Sequence, residues 1–284
     1  MGDLKIAVTG ASGFIGRHVL RALDGRGIDI VAVTRNAGRL AAAGVPLRVV
    51  EMDIGRADDS TFDRLGRPDT LIHLAWDGLP NYRSPHHLEI ELPRQQAFLE
   101  SMLEAGLSSL LVTGTCFEYG LQSGCLAEDM EPRPDNPYAR AKDASRRALE
   151  ARKERRPFAL TWARLFYMYG DGQAASSLYS TLSAAVARGD RVFDMSGGEQ
   201  LRDFLPVEEV ADSVVRLAMR RSDFGCVNVC SGRPVSVRAQ VEAWLEQNGW
   251  SIELNLGHYP YPDYEPMEFW GDRGKLDRLL GGDR

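Results

Sequence analysis

The sequence predicts an α/β protein: a parallel sheet wound on both faces by helices, with a smaller mixed α/β lobe packed against it. Three observations lead there. Short apolar, β-branched runs alternate with helix-like stretches through the first half; a glycine-rich turn joins the first run to the first helix; and the second half loses this regularity.

The elements follow in order. Leu4–Thr9 and residues 30–34, 48–52, 70–74, 110–113 and 159–164 read as buried strands. Phe14–Leu23 and residues 88–105 and 138–154 read as helices between them. In the second half, helices are expected near residues 174–188, Val207–Met219 and residues 235–247. A strand at 227–230 is expected to return to the first sheet. Residues 259–268 hold three prolines and three tyrosines and read as an ordered loop. Nothing resembles a repeat or a low-complexity linker, so the two lobes should pack intimately. Their expected bounds are residues 1–165, joined by 203–232, and residues 166–284.

Composition narrows the function. The 284 residues are 44% hydrophobic and 26% charged, ordinary for a globular protein. Lys and Arg total 34 against 40 acids, a net charge of −6. That balance argues against a nucleic-acid binder but not against a local anion site. No apolar run approaches the roughly 18 residues that would suggest a membrane span. The N-terminus enters a strand at once, so no signal peptide is expected. Cys116, Cys125, Cys226 and Cys230 match no zinc or redox spacing and read as reduced thiols of a cytoplasmic protein.

Strand one ends in Val8-Thr9-Gly10-Ala11-Ser12-Gly13-Phe14-Ile15-Gly16. Gly10 permits a sharp turn, Gly13 lets a pyrophosphate approach the backbone, and Gly16 lets the helix pack on the strand. The helix start, with Ser12, Phe14 and Ile15, adds amide donors and a positive dipole end. This is a dinucleotide-binding turn in the right context. Strand two then closes on Thr34-Arg35-Asn36 without the carboxylate that binds the adenine-ribose hydroxyls of NAD. Arg35 instead offers a guanidinium for a 2′-phosphate, which favours NADP over NAD. The alternative is that Arg35 is simply one more surface arginine. Asp53, followed by Ile54, is a candidate acceptor for the adenine amino group, or else a cap for the next turn.

Tyr138-Ala-Arg-Ala-Lys142 opens a helix after a proline-rich stretch, and residues i and i+4 share a helix face. A nearby ammonium favours the phenolate and should lower the tyrosine pKa from about 10, making it a proton donor and acceptor near neutrality. Lys142 is one of only four lysines.

Residues 9–16, residues 138–142 and Thr113-Gly-Thr-Cys-Phe-Glu-Tyr-Gly120 together resemble the extended short-chain dehydrogenase/reductase family, in its nucleotide-sugar epimerase/dehydratase/reductase branch. The similarity continues through His73-Leu-Ala75, residues 164–170, Arg202-Asp203-Phe204 and residues 228–232. It implies a Rossmann-type sheet of order 3-2-1-4-5-6 with a seventh strand alongside, carrying a nicotinamide coenzyme, and a lobe that binds a nucleotide-diphosphate sugar. It also implies a homodimer formed through the helices at 88–105 and 138–154. The alternative is that their outer faces, with Arg146, Arg147, Arg152, Lys153 and Glu154, are solvated. Carried over by position, Thr115 hydrogen-bonds the substrate oxygen, Tyr138 transfers the proton, and Lys142 binds the nicotinamide ribose. Leu74 and Ala75 border the cofactor. His73 beside them reads as a satisfied core histidine. Trp76, Cys116 and Phe117 fall in the substrate pocket, with Trp76 as a wall. Arg202 resembles a diphosphate-binding arginine; the plain alternative is an exposed ion pair with Asp203. Tyr167 departs from the asparagine frequent in the family.

The resemblance also bears on the reaction. Related 4,6-dehydratases carry Asp-Glu directly after the threonine, where this chain has Cys116 and Phe117. Glu118 comes one residue later, in a segment read as strand-like, whose alternation would aim it away from the site. Enzymes that epimerise before reducing place a cysteine at position 117. What remains is an NADPH-dependent reduction of a nucleotide-linked 4-keto-6-deoxy sugar, such as dTDP-4-keto-6-deoxyglucose, to a dTDP-6-deoxyhexose. The alternatives are an NAD-dependent 4-epimerase and a non-catalytic NADP-binding redox sensor.

Overall fold

A computed structural model describes residues 4–40, 44–261 and 265–281. Seven strands form its central sheet: β1 (Leu4–Thr9), β2 (Ile28–Thr34), β3 (Arg48–Glu51), β4 (Thr70–His73), β5 (Ser109–Thr115), β6 (Ala159–Leu165) and β7 (Gly225–Val229). All are parallel, in the order β3-β2-β1-β4-β5-β6-β7. The reversal between β1 and β4 opens a crevice at the carboxyl ends of the strands, where such sheets bind ligands.

Alternation along β1 sends Ile6 and Val8 to one face and Ala7 to the other. On the first face lie α1 (Phe14–Leu23) and a later helix, Val207–Met219, through Val19, Leu20, Val210 and Val214. On the second lie α2 (Leu92–Glu104) and α3 (Pro137–Arg155), through Phe98, Leu99, Met102 and Leu149. Both faces are covered, which is why the strands read as continuous apolar runs.

Two helix starts differ from expectation. The helix read from residue 88 begins as a single wide turn, His87–Glu91, before regular α2. Pro93 has no N–H to donate back to residue 89, so the ladder is reset there. The α3 start is capped by Asn136, whose side chain accepts from the Ala139 amide at 2.9 Å, with Pro137 in the first turn. The outer charges of α3 are tied within the chain: Arg146 and Arg147 to Asp143, Arg152 to Glu100, and Lys153 to Asp223.

The remaining chain builds a second core around Leu182, Phe193, Met195, Val241 and Trp244. Its strands are short: Tyr167–Tyr169, Leu201–Pro206 and Pro234–Ser236 form one sheet, and Val192–Asp194 pairs Glu253–Asn255. The helix read from 174 starts at Leu178 after the Ser177 cap. The helix read from 235 starts at Val237, because Val235 pairs with Arg202 in the sheet. The strand read at 227–230 is β7, one residue earlier at its end. Of the loop read at 259–268, residues 262–264 lie outside the described residues. All four cysteines are free thiols, and no described helix is long and apolar enough to cross a membrane.

Candidate active site

The first part of the site is a cleft of about 220 Å³ at the β1/β4 crevice. Gly10 turns the chain there at φ +68°, and a Cβ on it would lie 2.9 Å from the Ala75 amide nitrogen. A Cβ on Gly16 would overlap the Gly10 carbonyl oxygen. Only glycines allow this close approach of turn, helix and β4 loop, and the cradle fits a pyrophosphate. Gly10, Ser12, Gly13, Arg35, Asp53, Ile54, Leu74, Ala75 and Trp76 line the cleft. Phe14, Ile15 and Gly16 form the first turn of α1 beside it. Asp53 does what a cap does, accepting from the Gly55 amide at 2.9 Å, and it also accepts from Arg94 Nη2 at 2.7 Å. Arg39, Asp77, Glu91, Arg94 and Gln95 also line it and were not read from the sequence.

His73 closes the floor of this region. Its Nδ1 lies 2.8 Å from Thr9 Oγ1 and its Nε2 lies 2.6 Å from Gln95 Oε1. Burial lowers its pKa from 6.5 to about 3. Below pH 6.5 the unfolded chain therefore takes up a proton that the folded protein refuses until about pH 3. Stability held above pH 6.5 is lost as pH falls, by about 1.4 kcal/mol per unit, or about 2 kcal/mol at pH 5. Urea titrations at pH 7 and pH 5 should show the His73→Gln variant losing about 2 kcal/mol less than the parent. An equal loss in both proteins would refute the assignment.

The catalytic candidates meet where β5 ends. Residues 116–119 are not strand-like but a single 3-10 turn, Cys116–Tyr119, capped at both ends of a reciprocal pair. Thr115 Oγ1 accepts from the Phe117 amide at 3.3 Å, and Glu118 accepts from the Thr115 amide at 2.9 Å. The turn, not strand alternation, aims Glu118 away from the site. There it is fully buried and accepts from Trp162 Nε1 at 2.9 Å and Arg164 Nε at 2.7 Å.

Tyr138, from the first turn of α3, brings its phenol beside the Thr115 side chain. Its ring is enclosed by Trp76, Tyr82 and His87 at centroid distances of 5.9, 5.4 and 5.3 Å. Lys142 Nζ donates to the Thr113 carbonyl at 2.8 Å and stands 4.1 Å above the Trp76 ring. Trp76 lines the β1/β4 cleft beside Tyr138 and Lys142 and is not among the residues that wall the larger cavity below. One electrostatic expectation is overturned. Burial, not Lys142, dominates at Tyr138 and raises its pKa, so the phenol stays protonated at neutral pH. Burial also lowers Lys142, to about 7.

Beyond Tyr82 and Phe117 opens a larger cavity, about 640 Å³, walled by Tyr167, Gln173, Arg202 and Glu265 among others. Arg202 is buried and aims into it, which excludes the exposed pair with Asp203. Neighbouring residues of a strand point to opposite faces. Asp203 accordingly accepts from the amides of Ser231, Gly232 and Gly271. Arg202 Nη2 instead donates to Glu265 Oε2 at 2.9 Å, and Tyr167 donates to the other oxygen of the same carboxylate. Cys116 sits behind this wall with Tyr119, Phe166 and Phe269, and burial raises its thiol pKa. Arg164 and Arg273 act as braces, on Glu118 and on the Cys230 carbonyl.

Known proteins resemble the chain along nearly its whole length. The profile of the NAD dependent epimerase/dehydratase family matches residues 6–230. A dTDP-6-deoxy-L-talose 4-dehydrogenase (NAD(+)) of Aggregatibacter actinomycetemcomitans is 28% identical, over 94% of this chain and 99% of that protein. A dTDP-6-deoxy-L-talose 4-dehydrogenase (NAD(P)(+)) of Kitasatospora kifunensis is 27% identical, over 91% and 83%. Among solved structures, that of MoeE5 in complex with UDP-glucose and NAD superposes with a TM-score of 0.81 at 30% identity, covering 98% of this chain and 92% of that one.

Proposed function

This chain belongs to the NAD dependent epimerase/dehydratase family, and from that premise we propose that it reduces the C4 ketone of a nucleotide-linked 4-keto-6-deoxy sugar, using NADPH in preference to NADH. The observation that carries the reading is the chemistry around Thr115. One hydroxyl pair, Thr115 and Tyr138, is present, positions 116 and 117 hold a cysteine and a phenylalanine, and the nearby carboxylate of Glu118 is locked to Arg164. Such a site can give one proton to a carbonyl, and the carboxylate nearest Thr115 is tied to Arg164 instead of being available for elimination.

A reduced nicotinamide held in the cleft by the Gly10–Gly16 turn would supply the hydride for C4. The Thr115 oxygen accepts from the Phe117 amide, and its own proton would turn to the ketone oxygen when substrate is bound. Tyr138, held protonated by burial, delivers the proton to that oxygen as it becomes a hydroxyl. Lys142 places its terminal nitrogen beside the Tyr138 ring, 5.9 Å from the centroid, and its remaining donors would serve the ribose. Arg202 is the cation assigned to the diphosphate, which would share it with Glu265.

A dTDP sugar is the substrate we favour. Two relatives are named as dTDP-6-deoxy-L-talose 4-dehydrogenases, and their reaction in reverse is a 4-ketone reduction. NADPH is favoured by Arg35 in the cleft wall.

The test is loss of reduced-nicotinamide absorbance with NADPH and NADH side by side on a panel of nucleotide-linked 4-keto-6-deoxy sugars. Rapid oxidation with one dTDP member is expected. If instead no oxidation occurs, while coenzyme stays bound through purification and 4-epimeric sugars interconvert, the protein is an epimerase and the reductase reading fails.

A further inference from the structure

The end of β2 lacks the acidic residue that would receive the adenine-ribose hydroxyls, yet a carboxylate reaches that place from elsewhere. Arg35 Nη1 lies 3.1 Å from Asp77 Oδ2, and Nη2 lies 3.5 Å from Oδ1. Asp77 is two residues past Ala75, on the loop that follows β4. That loop is pinned, because the Asp77 amide donates to Glu91 Oε2 at 3.2 Å and Glu91 is held in turn by Arg94 and Gln95. Arg35 and Asp77 both line the coenzyme cleft and both keep substantial exposure to it. The charged residues of that lining are Arg35, Arg39 and Arg94 against Asp53, Asp77 and Glu91, three of each sign.

We propose that Asp77 is the coenzyme-selecting carboxylate of this site: paired with Arg35, it opposes the 2′-phosphate of NADPH and receives the free ribose hydroxyls of NADH. The proposal deepens the reading above, which assigns NADPH on Arg35 alone. A 2′-phosphate that bonds Arg35 must share the guanidinium with Asp77 and stand a few ångströms from its carboxylate. That distance is well inside the Debye length of about 8 Å at physiological salt, so the repulsion is not screened away. NADH has no such phosphate. Its ribose hydroxyls can donate to Asp77 as they do to an acidic residue at the end of β2 in other dinucleotide folds. Asp77 therefore offsets part of the preference for NADPH that Arg35 provides, in a lining with no surplus of either sign.

The experiment measures dissociation constants for NADPH and NADH by fluorescence titration, on the parent protein, Asp77→Asn, Asp77→Ala and Arg35→Ala. Asparagine keeps the size of the side chain and removes the charge. The ratio Kd(NADH)/Kd(NADPH) is expected to rise about tenfold in Asp77→Asn, a change of about 1.4 kcal/mol, and to move the same way in Asp77→Ala. A ratio within twofold of the parent in both variants, with their thermal unfolding unchanged, overturns the proposal. The two readings fail separately. If the parent binds NADH more tightly and Arg35→Ala leaves NADPH affinity unaltered, the NADPH assignment is wrong, but a tenfold shift in Asp77→Asn still supports the selecting role.

Discussion

Replacing Tyr138 with phenylalanine is expected to lower kcat for ketone reduction by about a thousandfold, within the 10²- to 10⁴-fold range of general acid catalysis. Coenzyme affinity should change by less than about threefold. The ring is held by Trp76, Tyr82 and His87, and phenylalanine preserves that packing. What disappears is the O–H beside Thr115, the group proposed to protonate the developing alkoxide. A thousandfold is about 4 kcal/mol of transition-state stabilisation. It should be lost from kcat and kcat/KM alike, because the interaction exists in the transition state and not in substrate binding. Steady-state rates with the 4-keto sugar and a coenzyme titration check both halves. A loss below tenfold would mean that another group supplies the proton. Unchanged function in a binding assay with no turnover in the parent would favour the sensor reading instead.

The residues proposed as catalytic could be picked out because their pattern is local. Residues 10–16 form one turn and the start of one helix, and Tyr138 and Lys142 are one helical turn apart. Groups brought together by topology were not legible. Asp77 meets Arg35 across 42 positions, because β1 and its neighbours β2 and β4 place two loops side by side. Glu265 meets Tyr167 across 98 positions and Arg202 across 63. The separate outlook of Arg202 and Asp203 could have been read, since strand alternation alone sends them to opposite faces. The sheet was read well because long buried runs carry a strong signal. The second lobe was read less well: a three-residue strand such as Val192–Asp194 has no room for a period. The turn at 116–119 was mistaken for strand because its apolar residues are those of a strand. Its true signal was the Thr115/Glu118 spacing of a reciprocal cap.

That cap makes Glu118 the residue whose loss should most damage the fold. Glu118→Ala is expected to destabilise the protein by about 3–5 kcal/mol, the cost of leaving a buried charge without its partner. Arg164 is almost wholly buried, and its Nη1 already lacks a hydrogen-bond partner among the described residues. Without Glu118 its guanidinium keeps the Tyr119 ring, 4.6 Å away, as a favourable neighbour but loses its carboxylate. The Thr115 amide and Trp162 Nε1 would lose their acceptor in the same step. Thermal unfolding should fall by about 10 °C, taking about 2–4 °C per kcal/mol for a chain of this size. Glu118→Leu combined with Arg164→Met should recover most of that loss, because no desolvated charge remains. A drop below about 3 °C in the single variant would show that water or backbone movement compensates Arg164. If the double variant is as stable as the parent but turns over slowly, the carboxylate's remaining contribution is to Thr115, whose amide it holds at the end of β5. Stability and catalysis would then be separable at one side chain: the charge serves Arg164, and the acceptor geometry serves Thr115.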